Sequence, residues 1–217
     1  MVDVGLDVKY PEAAARSAVY SMLSHAFCHP GQNSSDGEGA ASRTETREYI
    51  GRLPYRCDAV ETTMDDVLQS LNGEPGIAET YTALFDNCTG RALIALREAE
   101  YVPDNPKSLW EDLVRFYEHF GVNYSVDDVS LWPDHIVVEL DMLCYLSFLE
   151  ASGGANRDVF IRAQHDFIKR HPKRWISELS KSLSQAPDSG VYSEIARILS
   201  EFIEAEENYL TQAALSA

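Results

Sequence analysis

Apolar residues recur along this chain at intervals of three and four, the spacing that lines up one face of an α-helix. Over residues 12–27 they are Ala15, Ala18, Val19, Met22, Leu23 and Ala26; over 57–72 they are Val60, Met64, Val67, Leu68 and Leu71. "NGEPG" ends that second run, and a short helix over 76–86 then carries Ile77, Tyr81, Leu84 and Phe85. Residues 107–120 repeat the spacing with Leu109, Leu113, Phe116, Tyr117 and Phe120. Ser108 is the expected cap there, with Glu111 at the capping-box position and Gly121 as the stop. The most apolar helix is predicted over 134–151, ended by "SGG". Two more follow at 157–170 and 172–184, divided at His171-Pro172, where proline suits a first helical position. The last, over 189–212, carries Val191, Ile195, Ile198, Leu199, Phe202 and Tyr209.

The segments between are legible too. "PGQNSSDGEGAASRTET", residues 30–46, is rich in Gly and Ser and is expected to be a flexible loop. "REAEYVPDNPKS" carries two prolines and reads as extended, while the preceding "RALIAL" fits helix or strand. No sustained period-2 run with hairpin turns occurs, and no repeat at 20–50 residues. The expected fold is all-α, a single compact multi-helix bundle spanning 1–217.

Composition narrows the class. A chain of 217 residues with 45% hydrophobic residues can bury a core. No run approaches the roughly 20 apolar residues of a membrane span, so no membrane insertion is expected. The N-terminus, MVDVGLDVKYPEAAARS, lacks the apolar stretch of a signal peptide, and the expected location is the cytoplasm. Cys28, Cys57, Cys88 and Cys144 are widely spaced with no CxxC, which fits neither a zinc knuckle nor a disulfide scaffold. Acidic residues outnumber basic ones 35 to 18, for a net charge of −17. Such a surface repels phosphate backbones, so no nucleic acid is expected as a partner. It can attract a basic peptide, but the acids are spread along the whole chain, which better fits a heavily solvated surface such as a halophile's.

Candidate chemistry concentrates in "WPDHIVVEL", residues 132–140. Pro133 ahead of Asp134 marks a helix start, with Asp134 expected to accept from the Val137 N–H as the cap. His135 and Glu139 then lie four apart on one face of a largely buried helix. The trio reads as a capped helix with a satisfied polar pair, a metal site, an acid–base pair or a docking point. A metal site needs more ligands; His25 and His29, four apart around Cys28, and the His165-Asp166 pair are the available ones. All-α metal phosphohydrolases of the HD type are therefore the alternative from the enzyme class. Against it, His165 and Asp166 sit in a strongly charged helix that breaks at Pro172. No GxSxG, SxxK, GxxxxGK[ST] or GxGxxG motif occurs, so no catalytic residue is assigned and no cofactor or metal is expected. Tyr81, Leu84 and Phe85, together with Tyr101, Trp110 and Trp132, form a second set. Aromatics at helical spacing are usually core, and Trp132 is the one expected to be partly exposed. Exposed aromatics beside carboxylates suit a peptide with apolar and Arg side chains.

Several segments in order resemble one family: "YTALFDN" (81–87), "LREAEY" (96–101), "SLWEDLVRFYEHFGV" (108–122), "WPDHIVVELDML" (132–143) and "FIRAQHDFIKRHPKRWISEL" (160–179). They are similar to the TorD/DmsD/NarJ redox-enzyme maturation chaperones, most of all those serving type II DMSO-reductase-family molybdoenzymes. The resemblance implies an all-α cytosolic chaperone, not an enzyme. Such a chaperone binds the twin-arginine leader or N-terminal segment of a molybdopterin oxidoreductase catalytic subunit until the molybdenum cofactor is inserted. Residue by residue, it implies client-binding roles for Tyr81, Phe85, Glu98, Tyr101, Asp134, His135 and Glu139, and Trp132, the aromatic expected to be exposed beside the Asp-His pair, completes the expected set. Either a monomer or a homodimer fits. The chain departs from the commonest pattern at Asp141-Met142 and in its long Gly/Ser insert.

Overall fold

Helix α6, Ile136–Ala151, has no polar face, and it takes the position that such a helix must, against several neighbours at once. The computed structural model describes residues 8–30, 43–73, 75–86, 92–124, 131–153 and 156–216. Along α6 runs α1, Pro11–Ala26, and on another side α7, Arg157–Arg170. The 27-residue α9, Gly190–Ser216, packs against α7, against α8 (Pro172–Gln185) and against α3 (Asp58–Gly73). Helices α2 (Arg43–Ile50), α4 (Ile77–Phe85) and α5 (Pro106–His119) complete the bundle. Between α4 and α5, residues 92–105 are described and include one 3-10 turn, Glu98–Glu100. Among the described residues nine α-helices and no strand occur, with one isolated antiparallel bridge between Arg97 and His135. The all-α expectation holds.

Three local expectations need correction. Asn105, not Ser108, caps α5; its Oδ1 accepts from the N–H groups of Lys107 and Ser108, and Pro106 opens the helix three residues earlier than a Ser108 cap would allow. His135, not Asp134, caps α6: its Nδ1 accepts from the Val137 N–H at 3.3 Å. Asp134 is turned to other donors, described below. The region expected as a loop over 30–46 overlaps α2, whose first turn covers 43–46; residues 31–42 lie outside the described residues. That helix is short and strongly polar, so its apolar spacing carries little signal.

One buried ion cluster ties four helices together. Arg16 on α1 is fully buried, and its Nε and Nη2 donate to both carboxylate oxygens of Glu206 on α9 at 2.7 and 2.8 Å. Its Nη1 reaches Glu150 on α6 at 2.8 Å, and Nη2 also reaches Gln164 on α7. Tyr20 and Tyr55 donate to Glu206, and Arg157 to the second oxygen of Glu150. Every oxygen of both glutamates is satisfied, which is the condition for burying charge without a large penalty.

Candidate functional site

Residues 92–101 lie between the end of α4 and the start of α6, and hydrogen bonds to each hold them there. Ile94 N–H donates to Leu84, Ile136 N–H to Leu96, and Glu98 N–H to the backbone carbonyl of Asp134. The Asp134 side chain completes the clamp. It is fully buried; Oδ1 accepts from Arg97 Nε at 3.3 Å and Oδ2 from the Ala99 N–H at 3.1 Å. A short carboxylate is suited to this task, since it accepts from a side chain and a backbone donor together.

The clamped segment forms one wall of an open groove of about 630 Å³. Tyr81, Phe85 and Asp86 supply another wall from α4, with His135 and Leu131 at the entry to α6 and Ser182 from α8. Tyr81, Phe85 and Tyr192 meet edge to face, and the Tyr81 hydroxyl donates to the Phe27 carbonyl, so this wall is rigid. Tyr101 stacks on the buried Trp175 and donates to the Ala95 carbonyl. Leu93, 55% exposed, forms an apolar lip. His135 accepts at Nδ1, so its ring proton sits on Nε2; burial pulls the imidazole down to about 4, and it is neutral at physiological pH.

Four of the eight expected site residues thus line one groove: Tyr81, Phe85, Tyr101 and His135. Asp134, Glu98 and Glu139 lie beneath it, each essentially fully buried. Trp132, 43% exposed as its loop position predicts, stacks on Trp110 outside the groove wall. Arg97, Leu93, Ile94, Leu131 and Ser182 were not singled out from the sequence. Arg97 lies inside the quoted "LREAEY", but nothing in its spacing says which way it points.

Beneath the groove, Glu98 meets His171 Nδ1 at 2.9 Å, and Glu139 accepts from Trp175 Nε1 at 3.1 Å. Glu98 Oε1, Glu139 Oε1 and His171 Nε2 have no hydrogen bond among the described residues, though Arg174 lies 3.6 Å from Glu98 Oε1 and Asp112 lies 3.7 Å from His171 Nε2. Burial, then the charge of Glu98, push the Glu139 carboxyl well above its ordinary value, and a hydrogen bond to Glu98 works the same way. The raised Glu139 carboxyl favours its protonated form, which can donate toward Glu98.

The residues of the metal-hydrolase alternative are not gathered. His25 bonds the Ser21 carbonyl, His29 packs edge to face on Tyr81, and His165 bonds Thr211 while Asp166 bonds Arg170. Among the described residues no group of three or more His, Cys, Asp or Glu side chains could hold a metal ion.

In overall class, the fold is that of a redox enzyme maturation protein. Over 87% of its length the chain follows a crystal structure so described, from Archaeoglobus fulgidus, covering 93% of that chain with a TM-score of 0.50. At 18% identity this is a likeness of fold alone. The sequence places it further: the chain belongs to the nitrate reductase delta subunit family, the TorD/NarJ group, which matches residues 52–181. This is a family of assembly chaperones and not of enzymes. The selenate reductase assembly chaperone of Thauera selenatis is 35% identical over 138 residues, 62% of this chain and 70% of that one. The chlorate reductase assembly chaperone of Ideonella dechloratans is 28% identical over 142 residues, 64% and 72% of the two chains. The TorD chaperone of Vibrio cholerae is 28% identical over 81 residues, 36% and 37%. No helix among the described residues is long and apolar enough to cross a membrane.

Proposed function

We propose that this chain is a cytosolic assembly chaperone for the catalytic subunit of a molybdopterin oxidoreductase. The groove between α4, residues 92–101 and the start of α6 takes up the client's N-terminal, twin-arginine leader segment. The client is held there until its molybdenum cofactor is inserted. The observation that carries this reading is the convergence of Tyr81, Phe85, Tyr101 and His135, from three separate elements, on one open groove.

The chemistry fits an extended or helical peptide. Aromatic walls give large contact area at low entropic cost, and an exposed leucine lip leaves apolar surface to be covered on binding. Asp86, exposed on the groove, offers a carboxylate to a guanidinium. The acidic chain as a whole speeds encounter with a basic leader, an effect that weakens with salt. The names of the selenate and chlorate reductase chaperones support a reductase subunit as the client.

Co-expression with the molybdopterin subunit encoded nearest this gene tests the reading. Leu93→Arg places a like charge on the groove lip at an exposed position, where the fold has no stake in it. The expected result is loss of client co-purification and of molybdenum content in the client, with the chaperone's melting temperature unchanged. Full client loading with Leu93→Arg would overturn the groove assignment.

A further inference from the structure

Arg97 is the one cationic side chain lining the groove among the described residues, in a chain of net charge −17. Its guanidinium is fixed at one end and open at the other. Nε is anchored 3.3 Å from the buried Asp134 carboxylate. Its Cζ lies beside two stacked indoles, 4.8 Å from the Trp132 ring centroid and 5.3 Å from that of Trp110. The terminal nitrogens form no hydrogen bond within the described residues, and the side chain is 25% exposed. Such a held, planar pair of donors is the geometry that takes a carboxylate with two parallel hydrogen bonds, without ordering a free side chain first.

We infer that Arg97 is a specificity-determining residue, and that the groove selects polypeptide segments carrying an Asp or Glu at one fixed position. Asp134 is then a positioning residue: it aims Arg97 and does not itself touch the client. The inference rests on the groove reading above and adds to it. Asp86 and the aromatic walls accept the basic and apolar parts of a segment, while Arg97 demands an acidic one. A leader that is merely basic and apolar is bound less well than one with a carboxylate in register.

Random peptides displayed on phage and selected on the purified full-length chain test this directly. Four baits are compared: the wild type, Leu93→Gln, Arg97→Lys and the double variant Arg97→Gln with Asp134→Asn, which removes both charges together. Leu93→Gln removes the apolar lip without adding charge, and lysine keeps the positive charge beside Asp134 but removes the fork. The expected result is a position enriched in Asp or Glu on the wild type, weakened on Arg97→Lys and lost on the double variant. A selected peptide should bind roughly tenfold more tightly than its Glu→Gln counterpart on the wild type, by a smaller factor on Arg97→Lys, and equally on the double variant. Apolar or basic peptides selected without an acidic position would overturn the role of Arg97 and leave the groove standing. Peptides that bind Leu93→Gln as well as wild type, or no selected peptides at all, would overturn the groove and this inference together.

Discussion

Two buried polar networks share this small bundle, and they are built to opposite rules. Around Arg16, two carboxylates meet two guanidinium groups, two tyrosine hydroxyls and a glutamine, and no carboxylate oxygen is left over. Around Glu98, burial and the Glu98 charge raise the Glu139 carboxyl, while Glu98 Oε1 and His171 Nε2 make only long ion pairs, to Arg174 at 3.6 Å and Asp112 at 3.7 Å. The first joins α1, α6, α7 and α9. The second lies under the groove, joins its wall to α6 and to the α7–α8 junction, and responds to the protonation of Glu139. The contrast separates what specifies the fold from what supports the site. A closed network punishes any change, whereas an open one tolerates re-partnering when the wall above it is occupied.

Breaking the closed network should have the largest effect. Arg16→Met strands two buried glutamates and is expected to cost about 3–5 kcal/mol in denaturant unfolding. A cost under about 1 kcal/mol would mean that the cluster is not the fold's anchor. Next comes the clamp between the two regions. Asp134→Ala leaves the Ala99 N–H and Arg97 without their acceptor, for an expected loss of about 2 kcal/mol. Asp134→Asn, which keeps an acceptor, should lose less than half of that.

The open network should respond to pH in a way the closed one does not. The folded-state Glu139 carboxyl titrates above its unfolded value, so the folded chain holds the extra proton. Its favourable contribution is complete below the unfolded value and is lost as pH rises through the folded one. Glu139→Gln keeps a donor for Glu98 and an acceptor for Trp175 without the titration. It should unfold about 1 kcal/mol later than wild type near about pH 8, with the gap closing toward about pH 5. Parallel stability curves for the two proteins would remove the shared proton from the account. His135 runs the other way, since its folded-state value is depressed to about 4. Its contribution is complete above the unfolded value and lost as pH falls toward 4, so its NMR ring signals should stay those of neutral imidazole at about pH 6.

The smallest expected effect is His135→Asn. Asparagine is a good helix cap, so stability should change by about 0.5 kcal/mol or less while the groove loses a ring. A large loss of stability would mean that the imidazole packs the core and is not chiefly a groove wall.

How much of this was legible in the sequence follows from what each signal encodes. The long helices were, because their 3-and-4 spacing reflects one buried face each; α2 was not, because its polar run has almost none. His171-Pro172 marked the α7–α8 break through the proline alone. The caps were misassigned by a few residues at α5 and by one at α6, since Asp, Asn, Ser and His can all accept from a first-turn N–H and only the backbone path decides among them. At the site, the resemblance named residues on the three elements that border the groove. It did not separate residues that line the groove from those that hold it up, because Asp134 and His135 are neighbours that point in different directions. Arg97 and Ser182 needed the fold, as neither position has a local pattern that fixes its orientation.

The central claim is that the groove formed by Tyr81, Phe85, Tyr101 and His135 captures the client, while Asp134 works from beneath. Titrating the N-terminal segment of the co-encoded molybdopterin subunit, as a labelled peptide, into wild type, Leu93→Arg and Asp134→Asn measures this most directly. The account predicts saturable binding to the wild type, at least about tenfold weaker binding to Leu93→Arg, and only a few-fold loss in Asp134→Asn. Equal affinity for the wild type and Leu93→Arg, or a greater loss in Asp134→Asn than in Leu93→Arg, would contradict it.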